Sequence, residues 1–229
     1  MEFKNLTFLL LLLLFLGIPI ILGIQKKVHF VDRFRYILPA VIFTGAIYIT
    51  WDIRFAELGI WNYNPDYLSG ISMLNLPVEK WLLFALVPVS SIYIYENLKI
   101  RLNRFEKHNI FVVISLVLLV VFGLLAFYSR QKLYTFFTFF LLFIYFGYNV
   151  FRNRFKKYYA TFYFTYLLTL VPYILVSAIS NSLPVKSFNA DHVTGIAFWG
   201  IPVENTGYLF LLLFINITIY EYLNERRFY

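Results

Sequence analysis

Residues 195–205 read GIAFWGIPVEN, and residues 70–80 read GISMLNLPVEK. In each, Gly-Ile is followed five residues later by Pro-Val-Glu, which places Glu79 and Glu204 at matching points of an otherwise apolar chain. Shifting the sequence by 125 residues overlays far more than this motif. Asn64 falls on Asn189, Asp66 on Asp191, and Ile94-Tyr95-Glu96 on Ile219-Tyr220-Glu221, with 13 identities over 64–98 and no gap. Several of these identities are polar, so shared apolarity does not explain them, and the chain reads as an internal repeat.

Working outward, the 229 residues are 61% hydrophobic and 22% aromatic, with only 14% charged. A soluble domain carries about 25% charged residues, so the composition points to a bilayer. Apolar runs near the roughly 20 residues needed to cross it predict seven helices, at 5–24, 36–52, 78–96, 110–128, 133–151, 162–180 and 202–222. The first span reads as a retained helix, because only Glu2 and Lys4 precede it and no A-x-A-like cleavage site follows.

The expected fold is therefore all-α and polytopic, arranged as a parallel 3+1+3 repeat. Residues 1–98 form the first unit, 99–132 a connection containing the fourth helix, and 133–229 the second unit. One set of inter-helix segments holds 14 Lys and Arg and the other set five. Since positive residues stay cytoplasmic, the N-terminus is expected outside and the C-terminus inside, with both Pro-Val-Glu motifs at the outer face. The net charge of +8 is distributed in short blocks between apolar runs, which fits topology better than a nucleic-acid surface. The chain has no cysteine, and His29, His108 and His192 are scattered, so neither a disulfide nor a metal site is predicted.

Proline suits the first turn of a helix, and a glutamate two residues on meets the unpaired N–H groups there. Capping alone would account for Glu79 and Glu204. An ionisable group in a membrane span is nevertheless costly and usually functional, and a carboxyl group kept neutral by an apolar pocket can donate a proton. Asp52 is expected to end the second helix, and Asp66 and Asp191 to lie in outer loops as relays or turn formers. Glu96 and Glu221 are expected to face water at the cytoplasmic helix ends. Trp61, Tyr63, Trp81, Phe198, Trp199 and Tyr208 are the outer-side rings that could line a cavity and face a developing cation. That cavity is expected between the two units, shared by the paired motifs.

These stretches resemble the membrane-embedded lycopene cyclase domain family, the small two-unit type here fused in one chain. The resemblance rests on WD at 51–52, GIWNYNPDYLSGI at 59–71, NLPVEKWLLFALVP at 75–88, IYE at 94–96, GIAFWGIPVEN at 195–205 and INITIYEYL at 215–223. It implies a cofactor-independent, redox-neutral cyclisation of lycopene or a related linear carotenoid to β-ionone rings (γ- or β-carotene). An acid would protonate the terminal double bond, the internal alkene would close the ring, and a base would remove a proton. No dinucleotide fingerprint such as GxGxxG occurs.

The family's first motif usually reads P-x-E-E, whereas this chain has Lys80. An acidic residue commonly follows the second motif's glutamate, and here it is Asn205. A Lys80 turned inward is expected to hold Glu79 ionised, so Glu204 is the expected proton donor and Glu79 its partner or base. Asp52, Asp66 and Asp191 complete the candidate acids, and Trp61, Trp81, Trp199, Phe198 and Tyr208 the substrate contacts. The expected location is a bacterial cytoplasmic membrane, and the expected partners are a linear carotenoid, the lipid bilayer, and a second copy or other carotenoid-pathway enzymes. A non-cyclising polyene-binding relative is one alternative. A SWEET-like sugar carrier is another, although the Pro-Gln of those carriers is absent. A rhodopsin-type Schiff base in the last helix is excluded, because 202–222 contain no lysine.

Overall fold

The computed structural model describes residues 7–13, 33–102, 108–152, 155–183, 185–198 and 201–225. A short helix α1 covers 7–13, and the rest of the predicted first span lies outside the described residues. The other six predicted spans are helices: α2 (Phe34–Glu57), α3 (Val78–Leu102), α4 (His108–Tyr128), α5 (Leu133–Arg152), α6 (Tyr159–Ser182) and α7 (Val203–Glu225). All six are long and apolar enough to cross a membrane. α7 and α3 are the most enclosed, whereas α4 is the most apolar and among the least enclosed. This ordering suits a bilayer, where the greasiest surface belongs outside against lipid.

The helices run longer than their apolar stretches predicted. α2 continues five residues past Asp52 to Glu57, so Asp52 lies inside the helix instead of ending it. Its last turns are held by aromatic contacts, Trp51 to Phe55 at 5.6 Å and Phe55 to Trp61 at 5.4 Å between ring centroids. Such pairs add to the burial that keeps the extra turns helical.

Short strands, which the all-α reading did not include, organise the end of the bundle where α3 and α7 begin. β1 (Trp61–Tyr63) pairs antiparallel with β4 (Lys186–Phe188), placing Trp61 opposite Phe188 and Tyr63 opposite Lys186. This pairing clasps the two long loops together. β2 (Ser72–Met73) and β3 (Leu76–Pro77) form one hairpin before α3, and β5 (Ala197–Phe198) and β6 (Ile201–Pro202) form another before α7. The same bonds recur 125 residues apart. Val78 N–H donates to Ile71 O and Val203 N–H to Ile196 O, both at 3.0 Å. Asp66 N–H donates to Asn64 Oδ1 and Asp191 N–H to Asn189 Oδ1, at 3.1 and 3.0 Å. Gly70 and Gly195 both adopt φ near +80°, a left-handed turn that favours glycine.

The opposite end is basic, and there the structure corrects a second expectation. Glu96 and Glu221 do not face water; they are 1% and 2% exposed. Glu96 is ion-paired with Arg33 and accepts a 2.8 Å hydrogen bond from the Tyr220 hydroxyl. Glu221 is ion-paired with Lys99. Each carboxylate is thus buried with a cation, the condition under which burial of charge is tolerated. The bonds cross from α3 to α7 in both directions.

Candidate functional site

Each Pro-Val-Glu motif ends a hairpin strand and opens a helix, so its glutamate enters the first turn. Both side chains fold back onto the preceding loop. Glu79 Oε1 accepts from Ser69 N–H at 2.7 Å, and Glu204 Oε1 accepts from Thr194 N–H at 2.7 Å. Glu204 gains two further donors on the same oxygen, the hydroxyls of Thr194 at 2.7 Å and of Thr135 on α5 at 2.6 Å. Both glutamates are fully buried, and the Oε2 of each has no hydrogen-bond partner among the described residues. A buried polar atom left in this way carries a desolvation cost that a proton, water or ligand would relieve.

A cavity of about 70 Å³ lies between the helix starts, but neither glutamate lines it. The residues that follow them do. Lys80 is turned inward, yet its partner is Asp52, at 2.8 Å, and not Glu79. The other Asp52 oxygen accepts from the Tyr208 hydroxyl at 2.6 Å. Asn205 accepts from the Tyr134 hydroxyl at 2.8 Å. Tyr208 is packed edge-on against Tyr48 at 4.7 Å and Trp51 at 5.2 Å. An ion pair inside this aromatic shell tolerates burial because each member has a second contact, Lys80 lying 5.0 Å from the Phe84 ring.

The remaining candidates separate clearly. Trp61 is buried, but its face is already occupied by the Lys186 ammonium at 3.9 Å. It therefore offers no free face on that side to a developing cation. Trp81 is half-buried and its Nε1–H donates to Met73 O, bracing the first hairpin. Phe198 is 79% exposed at the second hairpin, and Trp199 lies outside the described residues. Asp66 and Asp191 are exposed loop residues in matching side-chain turns. Thr135 went unnoticed in the sequence, and Lys186 counted there only as one of the five positive residues of the outer side. A threonine in an apolar helix and a loop lysine carry no signal until the fold brings them to their partners.

A second concavity is bordered by the start of α7, although Glu204 itself does not line it. A groove of about 480 Å³ runs between α4, α5, α6 and α7, lined among others by Phe122, Phe139, Tyr166, Val203, Gly207 and Phe210. It extends along α4 from Phe111 to Leu125, about 20 Å at helical rise. Phe139 is one turn from Thr135, the residue that holds Glu204. Gly207 keeps the groove open, since a Cβ there would come within 3.0 Å of the Phe139 ring. A long apolar slot among helices fit to cross a membrane suits a hydrophobic guest.

The family model described as lycopene cyclase matches residues 5–98 and 131–223, and the chain belongs to that family. Membership points to a cyclase-type enzyme with a carotenoid substrate. No curated protein and no solved structure matches the chain.

Proposed function

We propose that this chain cyclises the linear end of lycopene, or of a related linear carotenoid, to a β-ionone ring without change of oxidation state. Glu204 carries the reading: a buried carboxyl in the first turn of α7, whose neighbours Val203 and Gly207 line the apolar groove, with its Oε1 engaged by three donors and its Oε2 without a partner among the described residues. The reading requires the acid's proton on Oε2, since Oε1 already accepts from three donors, and an apolar surrounding is what would keep such a proton in place. The proton passes from Oε2 to the terminal double bond of the polyene and leaves a tertiary cation. The next alkene attacks this cation, closing the six-membered ring and moving the charge onto it. Loss of a ring proton then forms the ring double bond. The carbon that gains a proton and the carbon that loses one are two bonds apart in the ring, so the Glu204 carboxylate is placed to take the proton back. The apolar walls exclude water, which would otherwise trap the cation as an alcohol.

Under this proposal the chain is two three-helix units joined by α4, with the motifs at the non-cytoplasmic face of a bacterial inner membrane. The matching hydrogen bonds 125 residues apart support the repeat, and the uneven distribution of basic residues supports the orientation. Glu79 is the counterpart of Glu204 in the first unit, where it secures the loop.

Expression in a lycopene-accumulating bacterium followed by pigment chromatography tests the reaction. γ- or β-carotene is expected, and unchanged lycopene alongside folded, membrane-inserted protein would overturn it. The chain has no cysteine, so single cysteines at the exposed Ser187 and Arg101 test the orientation. A membrane-impermeant maleimide should label intact cells at position 187 and not at position 101.

A further inference from the structure

The cavity between the helix starts has an unbalanced lining. It brings together two lysines, Lys80 and Lys186, with Tyr63, Ser180 and Asn205. Lys80 is matched by Asp52, and that carboxylate's other oxygen is engaged by Tyr208. Lys186 makes no ion pair among the described residues. Its ammonium instead sits against aromatic rings, 3.9 Å from Trp61, 4.4 Å from Phe188 and 5.7 Å from Tyr63. The Tyr63 hydroxyl and Ser180 Oγ are buried with no hydrogen-bond partner among the described residues, and Ser180 is 9% exposed. Two lysines and two hydroxyls without partners among the described residues therefore line a single small space, and the nearby Asp52 carboxylate, already paired with Lys80, is not part of that lining. A volume of about 70 Å³ holds a few water-sized bodies and no polyene end.

We propose that this cavity binds a small monovalent anion of halide size, held by the Lys186 ammonium and the hydroxyls of Tyr63 and Ser180. The site is separate from the cyclisation chemistry and does not depend on it. An anion would balance the second ammonium and satisfy donors that are otherwise buried at a cost.

Proton uptake accompanies binding. Burial holds Lys186 well below its ordinary value, the nearby Lys80 charge pushes it the same way, and Asp52 only partly opposes them. The other ionisable groups on the cavity, Tyr63 and Tyr173, are uncharged phenols that add no competing charge near neutral pH. Where free Lys186 is neutral, each anion brings one proton, so affinity falls about tenfold per pH unit as pH rises.

The test uses the full-length protein in detergent, with sodium bromide replacing sodium gluconate at constant ionic strength and tryptophan fluorescence as the readout. Trp61 beside Lys186 should give a saturable quenching component whose affinity weakens with rising pH. Lys186→Met should leave only linear, collisional quenching, whereas Lys186→Arg should keep saturation and lose its pH dependence. Where Lys186→Met does not fold, Ser180→Ala and Tyr63→Phe serve in its place, and each should weaken bromide binding several-fold. Purely linear quenching in the unaltered protein would overturn the proposal. So would a saturable component unchanged in Lys186→Met, or in both Ser180→Ala and Tyr63→Phe.

Discussion

The starts of α3 and α7 carry one motif and one loop bond, yet their surroundings differ. Among the described residues Glu79 receives a single donor, from Ser69, whereas Glu204 receives three, one of them from Thr135 on a different helix. The next residues diverge further: Lys80 reaches inward to the Asp52 carboxylate, and Asn205 accepts from the Tyr134 phenol. The hairpin, the proline and the glutamate suffice to fix the loop at both places. What the carboxyl group can do is set by what the neighbouring helices bring, and only α7 adjoins the apolar groove.

Substitution of the two glutamates should split them most widely. Glu204→Gln keeps an acceptor for the loop and removes the acid, so ring formation should fall by about 10²- to 10⁴-fold, the usual worth of a positioned acid. Glu79→Gln should retain product, as measured by pigment chromatography. Equal losses in both would place the two acids in one mechanism and erase the contrast.

The following position should separate the units by stability. Lys80→Met leaves Asp52 buried without its cation, a change that costs about 3–5 kcal/mol. Asn205→Ala leaves a phenol without an acceptor, costing about 1–3 kcal/mol. Thermal unfolding in detergent should rank them in that order, and adding Asp52→Asn to Lys80→Met should restore much of the loss. Gly207→Ala forces a methyl against Phe139 at the groove, with overpacking of about 1–3 kcal/mol and a reduced rate. The smallest effect belongs to Thr135→Val. It removes one of the three donors to Glu204, should cost about 1 kcal/mol, and should change turnover only a few-fold.

The helical framework was legible because crossing a bilayer demands long apolar runs, and six runs appear as helices. Their ends were less legible. Asp52 looked like a terminus, since charge usually marks one, but Lys80 and Tyr208 make its burial tolerable and α2 runs on. Glu96 and Glu221 looked solvated for the same reason, and their partners Tyr220 and Lys99 are more than 120 residues away in sequence. Lys186 read as an ordinary loop lysine, because only the β1–β4 pairing carries it under the aromatic rings. Periodicity reports which face of an element is apolar. It does not report which distant side chain will arrive to neutralise a charge.

The clasp between β1 and β4 has a mechanical consequence when taken with the crossed ion pairs at the basic end. A carrier alternates by letting its halves rock open first at one rim and then at the other. Here both rims are bolted, one by strand pairing and one by buried charges, so neither can part without breaking a bolt. Under the proposed function, the remaining way in for a hydrocarbon guest is sideways from the lipid, through the groove along α4 and α6.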